Sequence, residues 1–148
     1  MFYGQYEHAI DDKGRLTIPS KLREALEKSD KGAGMLTRGL EGCIFLFGRG
    51  GWEGLQEKFQ ALPTLSGAKV RAFVRVFTSG ACEFEIDKQG RIGVPSFLRE
   101  HAGIERDVVV IGARDHVEIW SRERWDEYLA RQTEVWEETA EGLMDFGI

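Results

Sequence analysis

The chain has 148 residues, enough for one ordinary domain or two small interlocked ones. With 30% charged and 42% hydrophobic residues it has the composition of a soluble globular protein, and no apolar run approaches membrane-spanning length. The net charge of −5 argues at first against a nucleic-acid partner, yet it is unevenly placed: eight acids and two bases lie from Glu123 onward, against eighteen bases and seventeen acids in residues 1–122.

The opening MFYGQYEHAI lacks the basic start and apolar middle of a secretory leader. Its Phe and Tyr residues favour a strand over Phe2 to Ile10. Asp11 to Gly14 is turn chemistry, because Asp accepts bonds from its own downstream backbone and Gly supplies a positive φ. Leu16 and Ile18 alternate with Arg15 and Thr17 as a half-buried strand does. Pro19 closes that strand and suits the first turn of a helix, in which Leu22 and Leu26 share a face while Lys21, Arg23, Glu24 and Glu27 meet solvent. SDKGAG (Ser29 to Gly34) reads as a loop. Met35 to Thr37 and Cys43 to Phe47 read as strands around a Gly39–Gly42 turn. Gly48 to Gly51 breaks the pattern, and Trp52, Leu55, Phe59 and Leu62 then recur at helical spacing until Pro63.

Ser66 is the expected N-cap of another helix, on which Val70, Phe73, Val74 and Phe77 follow the i, i+3, i+4, i+7 rule. Lys69, Arg71 and Arg75 lie elsewhere around it, and solvated charge is favoured over a DNA contact. Ala81 to Ile86 alternates Cys82, Phe84 and Ile86 with Glu83 and Glu85, a strand. Val108 to Ile111 and Val117 to Trp120 are strands around Ala113–His116. Ser121 can cap a last helix with Trp125, Leu129, Gln132 and Trp136 on one face. Cys43 and Cys82 form no CxxC pair and are expected to be small buried hydrophobes in a reducing cytoplasm.

This order contains one stretch twice. IDDKGRLTIPSKLRE, Ile10 to Glu24, returns as IDKQGRIGVPSFLRE, Ile86 to Glu100, at an offset of 76. Ile, Asp, Gly, Arg, Pro, Ser, Leu, Arg and Glu are identical. Trp52 matches Trp125 at an offset of 73, which implies a loop three residues longer after the first motif. The duplicated unit is therefore β-turn-β-α-β-β followed by a helix. One copy has too few residues to bury a core alone.

The paired Asp-x-x-Gly-Arg turns, each leading into an apolar strand and Pro-Ser-x-Leu-Arg-Glu, resemble the MraZ family of bacterial transcriptional regulators. FTSGACEFEIDKQGRIGVPSFLREHAGI and VEIWSRERWDEYL share the likeness. It implies an α+β fold of two tandem SpoVT-AbrB-type swapped-hairpin repeats, forming an intrachain pseudo-dimer with flanking helices. The expected divisions are repeat 1 at 5–50, a helical connector at 51–78, repeat 2 at 79–122, and an acidic helix and tail at 123–148. The resemblance further implies a cytoplasmic, nucleoid-associated homo-oligomer, a ring of many subunits. Such a ring would bind short repeats of double-stranded DNA in the promoter of its own division and cell-wall gene cluster.

Two roles are open for the repeated Asp and Arg residues, and they are compatible. Asp11 with Gly14, and Asp87 with Gly90, build the turns, and each Asp can hold its Arg by a fork of two bonds. A guanidinium so held is oriented, and its planar fork suits guanine O6 and N7 or a phosphate. Arg15 and Arg91 are accordingly the expected essential DNA contacts. Lys13 and Lys88 at the turn tips, with Lys21, Arg23 and Arg99 beyond, are expected at phosphates. Arg23 and Arg99 have the alternative of pairing with a Glu on their own helices. Lys21 becomes Phe97 in the second copy, which suggests a buried or interface position there and more DNA contact from the first copy. His8, His101 and His116 are scattered, and no P-loop, GxGxxG or GxSxG occurs, so neither catalysis, metal nor cofactor is expected. The rival is an antitoxin-like protein-binding module of the same fold class.

Overall fold

Two hairpin turns with the same chemistry organise the molecule, and the strands they join are shared between its halves. The computed structural model describes residues 1–63 and 67–148, so the expected cap at Ser66 lies outside the described residues. The first half runs β1 (Gln5–Ala9), β2 (Arg15–Thr17), α1 (Ser20–Asp30), β3 (Ala33–Arg38), β4 (Ile44–Gly48) and α2 (Arg49–Ala61). After α3 (Ala68–Ser79) the plan repeats as β5 (Cys82–Glu85), β6 (Arg91–Gly93), α4 (Ser96–His101), β7 (Asp107–Gly112), β8 (Val117–Ser121) and α5 (Arg122–Glu134). A short α6 (Trp136–Gly142) follows.

The strands form a six-stranded antiparallel sheet in the order β1-β7-β8-β4-β3-β5 and a two-stranded ribbon of β2 and β6. Each half thus sends its first strand across: β1 pairs with β7 of the second half and β5 with β3 of the first. This is the α+β, swapped-hairpin pseudo-dimer that the resemblance implies. The registers obey a local two-fold relation. Tyr6 opposite Val110 has its counterpart in Cys82 opposite Leu36. Leu16 faces Ile92, its own repeat mate, in the ribbon, and Phe45 faces Glu118 in the large sheet, so the axis passes through both pairs.

Period-two patterning decides which face of each strand is buried. Leu16, Ile18, Ile92 and Val94 of the ribbon segments meet Leu36, Leu46, Val110 and Ile119 from one face of the large sheet. Leu22 and Leu98 from the two short helices complete this core. It contains side chains of both copies throughout, as the shortness of one copy requires.

Three local expectations are corrected. The offset does not fall by three in one loop. It is 74 at β3 and β7, where α1 with its loop is two residues longer than its counterpart. It reaches 73 only after the β3–β4 turn, longer by one more residue. The glycines at 48–51 do not break the pattern, for α2 begins at Arg49. Asp30 accepts the Gly50 N–H at 2.8 Å, satisfying one of the helix's orphan donors, and a Cβ at Gly48 would overlap that carboxylate. The last helix does not carry one buried face to Trp136. It breaks at Val135, Trp125 and Tyr128 pack on Trp120, and Leu129 and Trp136 are exposed.

Candidate nucleic-acid interface

Both repeated turns fold through the same set of bonds. Asp11 Oδ1 accepts the backbone N–H groups of Lys13 at 3.0 Å and Arg15 at 2.8 Å, while Oδ2 accepts Arg15 Nε at 2.8 Å. Asp87 repeats this with Gln89 N at 2.9 Å, Arg91 N at 2.9 Å and Arg91 Nε at 3.3 Å. Gly14 and Gly90 take φ of +76° and +79°, the left-handed conformation that lets a three-residue loop rejoin its strand. The bonds from the following Arg backbone lead those that hold each Asp carboxyl below its ordinary range, so both stay anionic beside their guanidinium.

The ribbon then brings the two arginines together. Leu16 and Ile92 point into the core, so Arg15, Thr17, Arg91 and Gly93 lie on the opposite face. Arg15 stands opposite Gly93 and Arg91 opposite Thr17. The two arginines are therefore diagonal neighbours, which in an antiparallel pair are about 7–8 Å apart. Their side chains are 38% and 26% exposed. Each Asp takes only the Nε edge of its guanidinium, one bond and not the expected fork of two, because its other oxygen is occupied by the turn's backbone N–H groups.

Arg23 and Arg99 occupy a place that spacing along their own helices does not reveal. Neither pairs with a Glu among the described residues. Arg23 donates to the Ile18 carbonyl at 3.4 Å and lies against Gly90, the turn glycine of the other copy. Arg99 donates to the Val94 carbonyl at 3.1 Å and lies against Gly14. Backbone bonds tie the same junctions, from Ile18 N to the Gly90 carbonyl at 2.9 Å and from Val94 N to the Gly14 carbonyl at 2.7 Å. Each half thus buttresses the turn of the other, and four guanidinium groups gather around the ribbon.

The lysines are placed differently. Lys13 and Lys88 are exposed at the turn tips and form no ion pair among the described residues. Lys21, also exposed, lines a shallow groove on α1 with Met1, Tyr3 and Glu24. Its counterpart Phe97 is not buried in the chain. It is 41% exposed, with the Arg38 guanidinium 5.8 Å above its ring. Arg38 was not singled out by sequence, since its partners are Phe97 and the Val76 carbonyl, far along the chain. Among the described residues no group of three or more His, Cys, Asp or Glu is arranged to hold a metal, and no helix is long and apolar enough to cross a membrane.

A family model described as "MraZ protein, putative antitoxin-like" matches residues 1–75 and again 77–146. The chain is 53% identical to a protein of Heliobacterium modesticaldum named transcriptional regulator MraZ, with all of both chains covered. It is 50% identical to the protein of that name in Caldanaerobacter subterraneus and 47% to that of Syntrophomonas wolfei, again over the full length of both.

Proposed function

The chain belongs to the MraZ family, and from that premise we propose that it is a transcriptional regulator that binds double-stranded DNA through the outward face of the β2/β6 ribbon. The observation that carries this reading is the pair of oriented guanidinium groups, Arg15 and Arg91, set side by side on a two-stranded ribbon. The major groove admits such a ribbon, and an arginine fork matches guanine O6 and N7. Lys13 and Lys88 flank it as phosphate contacts, with Lys21 farther out on the first copy. Arg23 and Arg99 set the turns and turn their remaining N–H groups to phosphates.

In this reading the two repeats, 5–50 and 79–122, act as one DNA-reading unit, with 51–78 and 123–148 as attachments to it. The chain works as a regulator in the cytoplasm, at the nucleoid, and not as a catalyst. It represses its own division and cell-wall gene cluster, and its copies assemble into a ring that engages several short promoter repeats together. Linked sites raise the effective concentration at each repeat, which a single near-neutral protomer needs.

A gel-shift of the protein with its own upstream region, competed by unrelated DNA, tests the reading. Preferential retention of the upstream fragment is expected, and equal competition by unrelated DNA would contradict sequence-specific regulation. The antitoxin-like description of the family model is the one observation that favours the second reading, a module that binds a protein toxin. A small stoichiometric partner co-purifying with the native protein would support that instead.

A further inference from the structure

Two surfaces are left uncovered among the described residues, and they complement each other. α3 carries Lys69, Arg71 and Arg75 and no acid. Its inner side belongs to a column of rings in which Trp52 stacks on Phe77 at 5.8 Å and Phe77 on Phe73 at 5.5 Å. Phe73, the last ring, is 44% exposed, and Val76 beside it is 55% exposed. A helix meant for water or for phosphates has no use for Phe and Val on that flank. A segment that is both acidic and apolar does.

The chain possesses one such segment. From Leu129 to Ile148 every residue is exposed, so the tail does not cover α3 of its own chain. Beyond Arg131 it has five acids and no base. Between and just beyond them stand Trp136, Met144 and Phe146, exposed by 69%, 68% and 78%. We propose that residues 134–148 of one copy dock on the α3 face of a second copy. The acids then meet Lys69, Arg71 and Arg75, and Trp136 continues the ring column past Phe73. Donor and acceptor surfaces differ, so the contact is heterologous, and its repetition closes a ring or runs on as a filament. This rests on the reading of the chain as self-assembling and is independent of the DNA contact.

The test is the mass in solution of the full chain and of two variants, R71E/R75E and E137K/E138K/E141K, with circular dichroism confirming their folds. The wild type is expected to be an oligomer and each variant a monomer. An equimolar mixture should reassemble, because each variant's tail matches the other's α3. Variants that remain oligomeric, or a mixture that stays monomeric, would overturn this docking while self-assembly stands. A monomeric wild type would overturn both.

The structure also assigns a role to Gly93. It lies in regular register opposite Arg15, its φ is not left-handed, and a Cβ there would meet nothing within 4 Å. The fold therefore does not call for glycine. A glycine inside a strand without bulge or bend marks a place where another backbone or a ligand comes close. On the reading of the ribbon as the DNA face, Gly93 is the point of closest approach of the duplex. Gly93→Val should keep or raise the melting temperature and weaken promoter binding at least about tenfold, whereas Gly54→Ala on α2, where an added Cβ likewise meets nothing within 4 Å, changes binding little. Undiminished promoter binding by Gly93→Val would overturn this role. A wild type with no preference for its promoter would instead sink the DNA reading on which it depends.

Discussion

Asp11 and Asp87 each do with one carboxylate what the two turns need, bonding two backbone N–H groups and the guanidinium that follows. Their pKa values are depressed in the folded chain, so their contribution is present above the ordinary carboxyl value of 3.8 and is lost as pH falls through the lower folded value. Melting temperatures followed downward from pH 5 should therefore fall less for D11N/D87N than for the wild type. An equal fall would show that these carboxylates do not set the acid sensitivity. The turn residues, their glycines and the Asp-to-Arg pairing were all legible in the sequence, because each acts within five residues. Arg23 and Arg99 were not. Their partners are the turns of the opposite copy, and no local rule points from Arg23 to Gly90. Phe97, expected at a buried or interface position, is not buried within the chain, and the Arg38 guanidinium that reaches its ring from β3 is a contact no local rule gives.

At the scale of elements, strand positions followed from alternation and turn residues, but their partners did not. β1 pairs with β7 rather than within its own half. One outer position of the sheet carries its own pH dependence. In the turn before β8, His116 lies against the Phe45 ring at 4.6 Å. Its Nε2 is 2.8 Å from Glu118 and its Nδ1 is 3.2 Å from Asp115, while Trp120 Nε1 donates to the second Glu118 oxygen at 2.9 Å. Burial opposes protonation of His116, but the two carboxylates outweigh it and hold its pKa above the usual 6.5. The stabilisation is complete below that value and is lost as pH rises through the folded pKa. A melting temperature that declines as pH rises above 6.5 in the wild type, and is flatter in His116→Gln, is the expected result. Parallel profiles would remove the His116 pair from the account. The ribbon itself rests on Leu16, wholly buried on the pseudo-axis against Ile92. Leu16→Ala should cost about 2–5 kcal/mol in denaturant unfolding, as cavity-forming truncations do. A loss under about 1 kcal/mol would mean that the ribbon is not part of the central core.

For the whole molecule, duplication was legible and the mode of its packing was supplied by family likeness, since no single-chain pattern distinguishes exchanged hairpins from two adjacent copies. The charge split was legible too, and the structure gives it a physical setting: the acidic segment from Leu129 onward is exposed, while the cations around the ribbon belong to both halves. Salt dependence reports on that arrangement, because each phosphate contact steepens the fall of log K with log salt by about 0.9. Lys13→Ala should reduce the slope by about one for every copy engaged and leave the preferred sequence unchanged. An altered preference would make Lys13 a base contact. The central claim is that two guanidinium groups on one ribbon read the duplex. Fluorescence anisotropy with a labelled promoter fragment and an unrelated fragment tests it most directly, comparing the wild type with R15A/R91A at matched melting temperature. One arginine–guanine fork is worth about 1–3 kcal/mol of discrimination. The double variant should therefore bind the promoter no better than unrelated DNA. Promoter preference equal to that of the wild type would contradict the account.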